Sequence, residues 1–172
     1  MTIRKLKRSD FKGLLELYET GYKEVKDNRD YGDYLYLKKL PLNERKKRFD
    51  LTYRHVLDGH ALYYVAEDKG RITGYCSVVK KDIPDSEISH VGVLGIRIAK
   101  EHRNKGVGTK LLEYTLKKSK GKFEIIEVFI MGVNDASKSL FKKFGFRKWG
   151  SAPRYVKRGD RYINMEYMYL RL

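Results

Sequence analysis

Residues 89–99, SHVGVLGIRIA, carry apolar side chains on both faces of the strand that their β-branched content predicts. A strand of this kind is buried on both sides, so it belongs in the centre of a sheet. An amphipathic helix follows, with one apolar face made of Val107, Leu111, Leu112, Thr115 and Leu116. A second strand, FEIIEVFIMGV, comes next. Because a strand, a helix and a strand in this order form a βαβ unit, we expect residues 90–99 and 123–132 to pair in parallel.

The segments before this unit predict two helices and three strands. TIRKLK alternates apolar and basic residues as a first strand, and Ser9 or Asp10 caps the first helix. Asn43 caps a second helix, which ends at residues 58–59. ALYYVAEDKGRITGYCSVVKK predicts a hairpin that turns at residues 68–70.

The segments after the unit predict a short helix and a final hairpin. NDASKSLFKKFGF forms the helix, with Gly145 at its C-terminal end in a left-handed conformation. Residues 147–172 form a hairpin that turns near residues 158–160. The order β-α-α-β-β-β-α-β-α-β-β is an α+β or mixed α/β arrangement with a predominantly antiparallel sheet, and we expect residues 1–172 to form a single domain.

The formal net charge of +16 favours anionic partners, which include nucleic acid, a membrane surface and a phosphate-bearing cofactor. The lone cysteine, Cys76, cannot form an internal disulfide, and no stretch has the length and apolarity of a signal peptide or a membrane span. We therefore expect a cytoplasmic protein that does not enter a membrane. The four histidines have no metal-ligand spacing, so no metal is expected.

Residues 102–111, HRNKGVGTKL, join the central strand to the amphipathic helix. A helix N-terminus presents unpaired N–H groups and a partial positive charge, and glycines let that backbone approach a phosphate closely. The alternative is a plain glycine-containing turn with solvated cations. The dinucleotide fingerprint is absent because Leu111 stands where its third glycine is needed, and no G-K-[ST] phosphate loop is present.

Arg103, Gly106 and Gly108 make up R-x-x-G-x-G, which resembles the acyl-CoA signature of the GNAT superfamily of N-acetyltransferases. VNDASKSLFKKFGF resembles the second hallmark of that family, an asparagine after the fifth strand and a helix that ends in a G-F pair. The resemblance implies a GNAT-like central sheet with a parallel βαβ crossover and helices on both faces. It also implies an acetyl-CoA-dependent transfer of an acyl group to a primary amine.

The resemblance further implies which residues contact the cofactor. Backbone amides of residues 104–108 would hold the CoA diphosphate with the Thr109 hydroxyl, and the strand around residues 96–98 would pair with the pantetheine arm. Asn134 would lie near that arm, although a plain helix cap is an equal alternative. The full set of implied cofactor-binding residues is Ile96, Arg97, Ile98, Arg103, Asn104, Lys105, Gly106, Val107, Gly108, Thr109, Asn134, Ser137 and Phe141.

In such a transfer a neutral amine attacks the thioester carbon, and a general base first removes a proton from the ammonium. By position, the candidate bases are Glu87, His90 and Glu67. Many family members carry a tyrosine that protonates the leaving thiolate, whereas this chain has Phe141 at the corresponding place. A thiol with a pKa near 8.5 is an adequate leaving group as the thiolate, so the absence of this tyrosine does not exclude activity.

The charge pattern suggests the acceptor. Acidic residues 16–33, with Asp82, Asp85 and Glu87, would frame the acceptor side, and a cationic amine such as a protein N-terminus, a lysine or a polyamine would suit them. The rival interpretation is an acyl-CoA-binding or nucleic-acid-associated module with little turnover, which Phe141 and the positive charge suggest. Any nucleic-acid binding would be non-specific, and the chain would be a monomer or a homodimer.

Overall fold

The structure is a computed structural model that describes residues 1–27, 39–81 and 87–172, without the side chains of residues 26 and 27. The predicted order of elements is confirmed. The strands are β1 (Thr2–Lys5), β2 (Ala61–Asp68), β3 (Arg71–Lys80), β4 (Val91–Ile98), β5 (Ile125–Met131), β6 (Arg147–Arg158) and β7 (Arg161–Arg171). The helices are α1 (Phe11–Asp27), α2 (Leu42–Leu57), α3 (Val107–Ser119) and α4 (Asp135–Lys143), and short 3-10 turns cover Arg8–Asp10 and Lys100–His102.

The seven strands form one sheet in the order β1-β2-β3-β4-β5-β7-β6. Neighbours are antiparallel except for β4 and β5, which are parallel. The prediction of a parallel βαβ crossover is therefore confirmed, and β4 lies in the middle of the sheet as its apolar character requires. The mixed, mostly antiparallel fold class is also confirmed.

Helices cover both faces of the sheet and bury separate apolar clusters. One cluster packs α3 and α4 against the sheet through Leu111, Leu112 and Phe141, each at most 1 % exposed. The other packs α1 and α2 against the opposite face through Leu14, Leu17 and Val56. Within the described ranges, no helix is long and apolar enough to cross a membrane.

Two predicted helix caps are wrong. Helix α2 begins at Leu42 after Pro41, and Asn43 lies inside its first turn with its Oδ1 accepting a hydrogen bond from the Glu44 N–H. Ser9 and Asp10, the two alternatives for the cap of α1, both belong to the 3-10 turn before it, and the buried Asp10 carboxylate accepts hydrogen bonds from the Lys7 N–H and the Arg4 guanidinium. Asp10 is therefore part of an ion-pair network with Arg4. Sequence pattern alone does not distinguish an aspartate that caps a helix from one that pairs with a distant arginine.

Candidate active site

The two central strands separate part of the way along the sheet. The β4–β5 pairing covers only residues 91–93 and 125–127. Beyond that point β4 stays paired with β3 as far as Ile98, and β5 stays paired with β7 as far as Met131. Because each strand is held by its other neighbour, the separation leaves a gap between them. Residues 94–98 and 128–131 line this gap, which opens into a cavity of about 1210 Å³.

The N-terminus of α3 faces the same cavity. Asn104 and Gly106 have left-handed backbone conformations, with φ of 57° and 77°, and they turn the chain into the helix. No described side chain caps α3 at Gly106, and the N–H groups of its first turn have no partner within the helix. The cavity therefore has several backbone N–H donors and a partial positive charge at this end.

The two glycines of the loop have different surroundings. A Cβ on Gly106 would meet no described atom within 4 Å, so its requirement for glycine comes from the positive φ. A Cβ on Gly108 would lie 3.5 Å from Ile98 and 3.6 Å from Leu140, which is ordinary van der Waals contact. The packing around Gly108 would thus accommodate a methyl group, so packing does not require glycine there. The absence of a side chain at Gly108 instead leaves its backbone accessible from the cavity.

Arg103 connects the loop to two other elements. Its Nε donates to the Ile98 carbonyl at 3.0 Å, and its Nη1 and Nη2 donate to the two carboxylate oxygens of Glu24 at 2.9 and 2.8 Å. The guanidinium therefore joins the start of the loop to the end of β4 and to α1. Sequence analysis assigned Arg103 to the loop and Glu24 to the acidic segment of the acceptor side, and gave no signal that the two side chains pair.

Helix α4 forms the other wall of the cavity. Asn134 caps it by accepting a hydrogen bond from the Ser137 N–H at 3.1 Å, and both residues line the cavity. Phe141 also lines the cavity, but its ring is 1 % exposed and packs edge-on against Phe146 with centroids 5.0 Å apart. Phe141 is therefore a core residue that reaches the cavity wall.

Five other implied cofactor residues differ in how they relate to the cavity. Ile96 and Ile98 pack their side chains against the α3 cluster while their backbone borders the gap. The Arg97 side chain points to α1 instead, with its Cζ 4.9 Å from the centre of the Tyr18 ring. Val107 is buried in the core, and the exposed Lys105 side chain is not part of the cavity wall.

The three candidate bases lie away from the cavity. His90 precedes the end of β4 that is still paired with β5, and Glu87 is exposed on the approach to that closed end. Glu67 lies on β2, which β3 separates from β4. Its carboxylate accepts hydrogen bonds from the Arg4 Nε and Nη2 at 2.8 and 2.6 Å. None of the three lines the cavity. The sequence placed Glu87 and His90 at the head of the central strand and Glu67 on the preceding hairpin, but it does not show which of these positions face the cavity.

Two carboxylates do line the described part of the cavity, and cations hold both of them. Glu19 contacts the Lys39 ammonium at 2.7 Å and the Arg45 guanidinium, and hydrogen bonds from these two cations lower the pKa of Glu19. A hydrogen bond from Lys138 at 2.7 Å lowers the pKa of Asp135. A carboxylate with a lowered pKa is a weak base near neutral pH. No histidine is among the described residues that line the cavity.

A group of tyrosines lines the α1 side of the cavity and was missed by the sequence analysis. The Tyr18 and Tyr75 hydroxyls are 3.1 Å apart, and the Tyr63 and Tyr75 rings stack with centroids 5.0 Å apart. Burial raises the pKa of Tyr63 well above its usual range. Phenol groups are thus present in the cavity although Phe141 has none. The signal available was only the abundance of tyrosine, which does not say which side chains meet.

The acidic acceptor side expected from the sequence is not formed by the described residues. Glu19 and Glu24 are held by cations, and Glu16 lines a separate small pocket with Arg4 and Asp10. The side chains of Asp27, Asp30, Asp33, Asp82 and Asp85 lie outside the described residues. Five described cations line the cavity, namely Lys39, Arg45, Arg48, Arg97 and Arg103. Among the described charged residues of the cavity wall, cations therefore outnumber the two carboxylates, Glu19 and Asp135.

This geometry fits acetyl-CoA. A diphosphate matches the bare N–H groups of the first turn of α3 and the left-handed backbone at Gly106. An extended thioester arm matches the gap beside residues 94–98, where β4 has lost β5 as a hydrogen-bonding neighbour. The two features adjoin one another in one cavity.

Comparisons with known proteins agree with this interpretation. The family model described as "Acetyltransferase (GNAT) family" matches residues 17–146. An N-alpha-acetyltransferase of Sulfolobus acidocaldarius is 28% identical over 115 residues, which cover 62% of this chain and 68% of that protein.

Solved structures show the same fold. The protein yncA of Salmonella typhimurium, solved with its cofactor acetyl-CoA, superposes with a TM-score of 0.85 at 21% identity, covering 100% of this chain and 94% of that chain. A ribosomal-protein-alanine N-acetyltransferase of Brucella melitensis has a TM-score of 0.80 at 23% identity over 100% of both chains.

Proposed function

The chain belongs to the acetyltransferase (GNAT) family, and from that premise we propose that it acetylates the α-amine at the N-terminus of a polypeptide. Bound acetyl-CoA supplies an activated acetyl thioester. The backbone N–H groups at the start of α3 hold its diphosphate, and the backbone of residues 94–98 orients the arm that carries the thioester. An N–H group of the separated strand, near residues 94–96, stabilises the oxyanion.

One observation carries the choice of acceptor: the described cavity wall contains no histidine, and both of its carboxylates have lowered pKa values. Such a cavity suits an acceptor that loses its proton easily. An α-amine has a pKa of about 7.7–8.0, whereas a lysine amine has a pKa of about 10.4. Near pH 7.5 about a third of α-amines are neutral, compared with about one lysine amine in a thousand.

A second support comes from the relatives. The curated protein from Sulfolobus acidocaldarius bears the name N-alpha-acetyltransferase, and the structure from Brucella melitensis is a ribosomal-protein-alanine N-acetyltransferase. The first name specifies an α-amine as the acceptor, and the second specifies an alanine of a ribosomal protein. A polypeptide N-terminus is therefore the acceptor that agrees with the cavity and with these relatives.

The test compares matched acceptors. One peptide has a free N-terminus and no lysine, a second has a blocked N-terminus and one lysine, and the third acceptor is spermidine. Release of CoA thiol is followed between pH 6 and 9, with acetyl-CoA alone as the control for hydrolysis. We expect kcat/KM for the free N-terminus to exceed that for the lysine peptide by about 300-fold near pH 7.5, from the difference in neutral amine.

The pH profile gives a separate check. If no protein group acts as a base, kcat/KM for the free N-terminus should rise with pH and level off near the pKa of the acceptor, about 8. A lysine peptide or spermidine that reacts faster than the free N-terminus would overturn the α-amine assignment. A plateau already reached near pH 6 would show that a protein base is present.

A further inference from the structure

Three tyrosine side chains meet at the wall of the cavity that α1 covers. The Tyr18 and Tyr75 hydroxyls are 3.1 Å apart, and Tyr63 forms a hydrogen bond with Tyr18. Tyr18 comes from α1, whereas Tyr63 and Tyr75 come from β2 and β3. We call Tyr18, Tyr63 and Tyr75 the tyrosine cluster. A hydroxyl can accept one hydrogen bond while it donates another, so hydroxyls in contact can pass a proton from one to the next.

The tyrosine cluster lies on the face of the sheet opposite the glycine-containing loop. Tyr63 and Tyr75 pack with the apolar residues that α1 and α2 bury. Helix α3, which follows the loop of residues 104–108, and helix α4, which carries Phe141, pack against the other face. A thioester arm that arrives from the α3 side leaves the α1 side open to the attacking amine. The tyrosine cluster is therefore on the side of the amine and not on the side of the sulfur.

An open space connects the cluster to the part of β4 that borders the gap. In the β3–β4 pairing Tyr75 is opposite Arg97, and Ser77 is opposite Gly95. Residues opposite one another in a sheet point to the same face, as do residues two apart on a strand. A Cβ on Gly95 would meet only the Ser77 Oγ among the described atoms within 4 Å, at 3.5 Å. The space above Gly95 is thus open on the side of the Tyr75 side chain.

Positive charge surrounds this space. Arg97 is 8 % exposed, and its Cζ lies 4.9 Å from the centre of the Tyr18 ring. The two described carboxylates of the cavity wall, Glu19 and Asp135, are both paired with cations. Like charge disfavours an ammonium, so an amine that binds here attacks in its neutral form and then has to lose a proton. The described wall contains no histidine that could take this proton.

We propose that the tyrosine cluster transfers the proton of the attacking amine to solvent, with Tyr75 in contact with the nitrogen. As the nitrogen bonds to the thioester carbon, its N–H bond breaks and the proton moves to the Tyr75 Oη. The proton of Tyr75 moves to the Tyr18 Oη, and that of Tyr18 moves to water, since Tyr18 is 38 % exposed. The electron pair of the broken C–S bond leaves with the thiolate. Each phenol is neutral before and after the transfer, so the relay does not alter the pH profile expected for the acceptor.

Tyr63 is the positioning residue of the cluster. It is 5 % exposed, and its ring stacks on Tyr75 with centroids 5.0 Å apart. Burial raises the pKa of Tyr63 well above its usual range, and the neighbouring Tyr18 and Tyr75 add to the shift. Tyr63 therefore keeps its proton, and its ring and hydroxyl hold the other two tyrosines in place.

The kinetic test removes one hydroxyl at a time and measures the single-turnover rate of acetyl transfer to the peptide with a free N-terminus. Tyr75→Phe should lower this rate about 100-fold, which is typical for the loss of a proton-transfer group. Tyr18→Phe should lower it about tenfold, because water can replace an exposed hydroxyl. The double variant should be within about threefold of Tyr75→Phe alone, since members of one relay act as a unit.

Tyr114→Phe is the matched control for the loss of a phenol hydroxyl. The Tyr114 ring pairs with Tyr64 on the α3 face, with centroids 5.0 Å apart, and Tyr114 does not line the cavity. The single-turnover rate of this variant should stay within about twofold of the wild type.

Binding gives a readout that needs no turnover. A conjugate in which an acetyl bridge joins the CoA sulfur to the N-terminal nitrogen of the peptide places an N–H beside Tyr75. Tyr75→Phe should raise the Kd of this conjugate about fivefold, through the loss of one hydrogen bond, and leave the Kd of CoA unchanged. Tyr114→Phe should change neither value. Isothermal titration calorimetry measures both constants.

Three results would overturn the inference. The first is a single-turnover rate for Tyr75→Phe within about threefold of the wild type. The second is a double variant in which the losses from Tyr18→Phe and Tyr75→Phe multiply, because the two hydroxyls would then act independently. The third is an equal rise in Kd for the conjugate and for CoA, which would mean that Tyr75 only supports the fold.

The relay rests on the acetyl transfer of the proposed function, but not on which amine is acetylated, because every amine loses a proton in this reaction. If a lysine peptide or spermidine is the best acceptor, the α-amine assignment is overturned, and the tyrosine variants measured with that acceptor should show the same losses. If the free N-terminus is preferred and the tyrosine variants transfer acetyl groups as fast as the wild type, the relay alone is overturned.

Discussion

The Arg103 guanidinium and the Glu24 carboxylate form a pair of hydrogen bonds, 2.9 and 2.8 Å long, between residues 79 positions apart in the chain. One partner opens the loop that faces the cavity, and the other lies on α1. The same guanidinium reaches the last carbonyl of β4 at 3.0 Å. The loop, the central strand and α1 are thus fixed to one another by one side chain, so changes in α1 should affect diphosphate binding.

Glu24→Gln should raise KM for acetyl-CoA by about tenfold, because it removes the charge from two charge-assisted hydrogen bonds that position the loop. KM for acetyl-pantetheine, which has the thioester but no diphosphate, should change little. Glu16→Gln, on the same helix but facing a separate pocket, is the matched control. Equal increases in KM for both thioesters would mean that Glu24 only stabilises the fold.

Gly106→Ala and Gly108→Ala should separate stability from binding. Alanine at Gly106 has to adopt a φ of 77°, which costs roughly 1–2 kcal/mol of unfolding free energy. Alanine at Gly108 meets only ordinary contacts and should stabilise α3 by about 0.5–1 kcal/mol. Its methyl group should nevertheless weaken acetyl-CoA binding. Urea unfolding and calorimetry measure the two effects, and unchanged affinity in Gly108→Ala would contradict the placement of the diphosphate.

Asp10 should make the stability of the fold sensitive to acid. Burial alone raises the pKa of Asp10, but hydrogen bonds from Arg4 and the Lys7 N–H outweigh burial, and its pKa lies below the usual range. A lowered folded-state pKa stabilises the protein above the unfolded-state pKa, about 3.9, and the stabilisation is lost as the pH falls through the folded-state pKa. Wild-type stability should therefore fall below about pH 4.

The variant Asp10→Asn isolates that contribution. At pH 7 it should lower the free energy of unfolding by about 1–3 kcal/mol, since it leaves the Arg4 guanidinium with a weaker partner. Asp50→Asn, whose carboxylate is 3.9 Å from Arg8 at the surface, should change stability by less than about 1 kcal/mol. Urea unfolding at pH 3 and pH 7 checks both, and equal losses for Asp10→Asn at the two pH values would exclude the proposed origin.

Cys76 should be inert towards thiol reagents in the folded protein. Burial raises the pKa of Cys76 to about 12, although a hydrogen bond with Thr115 opposes the shift, and the side chain is 0% exposed. Ellman's reagent at pH 8 should therefore titrate one thiol per chain only after denaturation. Rapid reaction of the native protein would show that the strand around Cys76 opens readily. The expected result also means that Cys76 does not interfere with measurements of CoA thiol release.

The sequence by itself determined the features that depend on neighbours along the chain. The apolar character of residues 89–99 fixed a central strand, and the helix after it fixed the parallel crossover. The left-handed turn at Gly145 and the asparagine cap at Asn134 follow in the same way, since each needs only two to four consecutive residues. The glycine-containing loop at the start of α3 was equally readable from its spacing.

Only the tertiary structure decided which side chains share the cavity. Because β4 and β5 separate after residues 93 and 127, Glu87 and His90 lie at the closed end. Glu67 pairs with Arg4 and does not line the cavity. Sheet order and helix packing also decide which aromatic side chains are in contact, as in the pairs Tyr18–Tyr75 and Phe129–Tyr167. Local periodicity specifies which face of an element is buried, but it contains no information about which distant element covers that face.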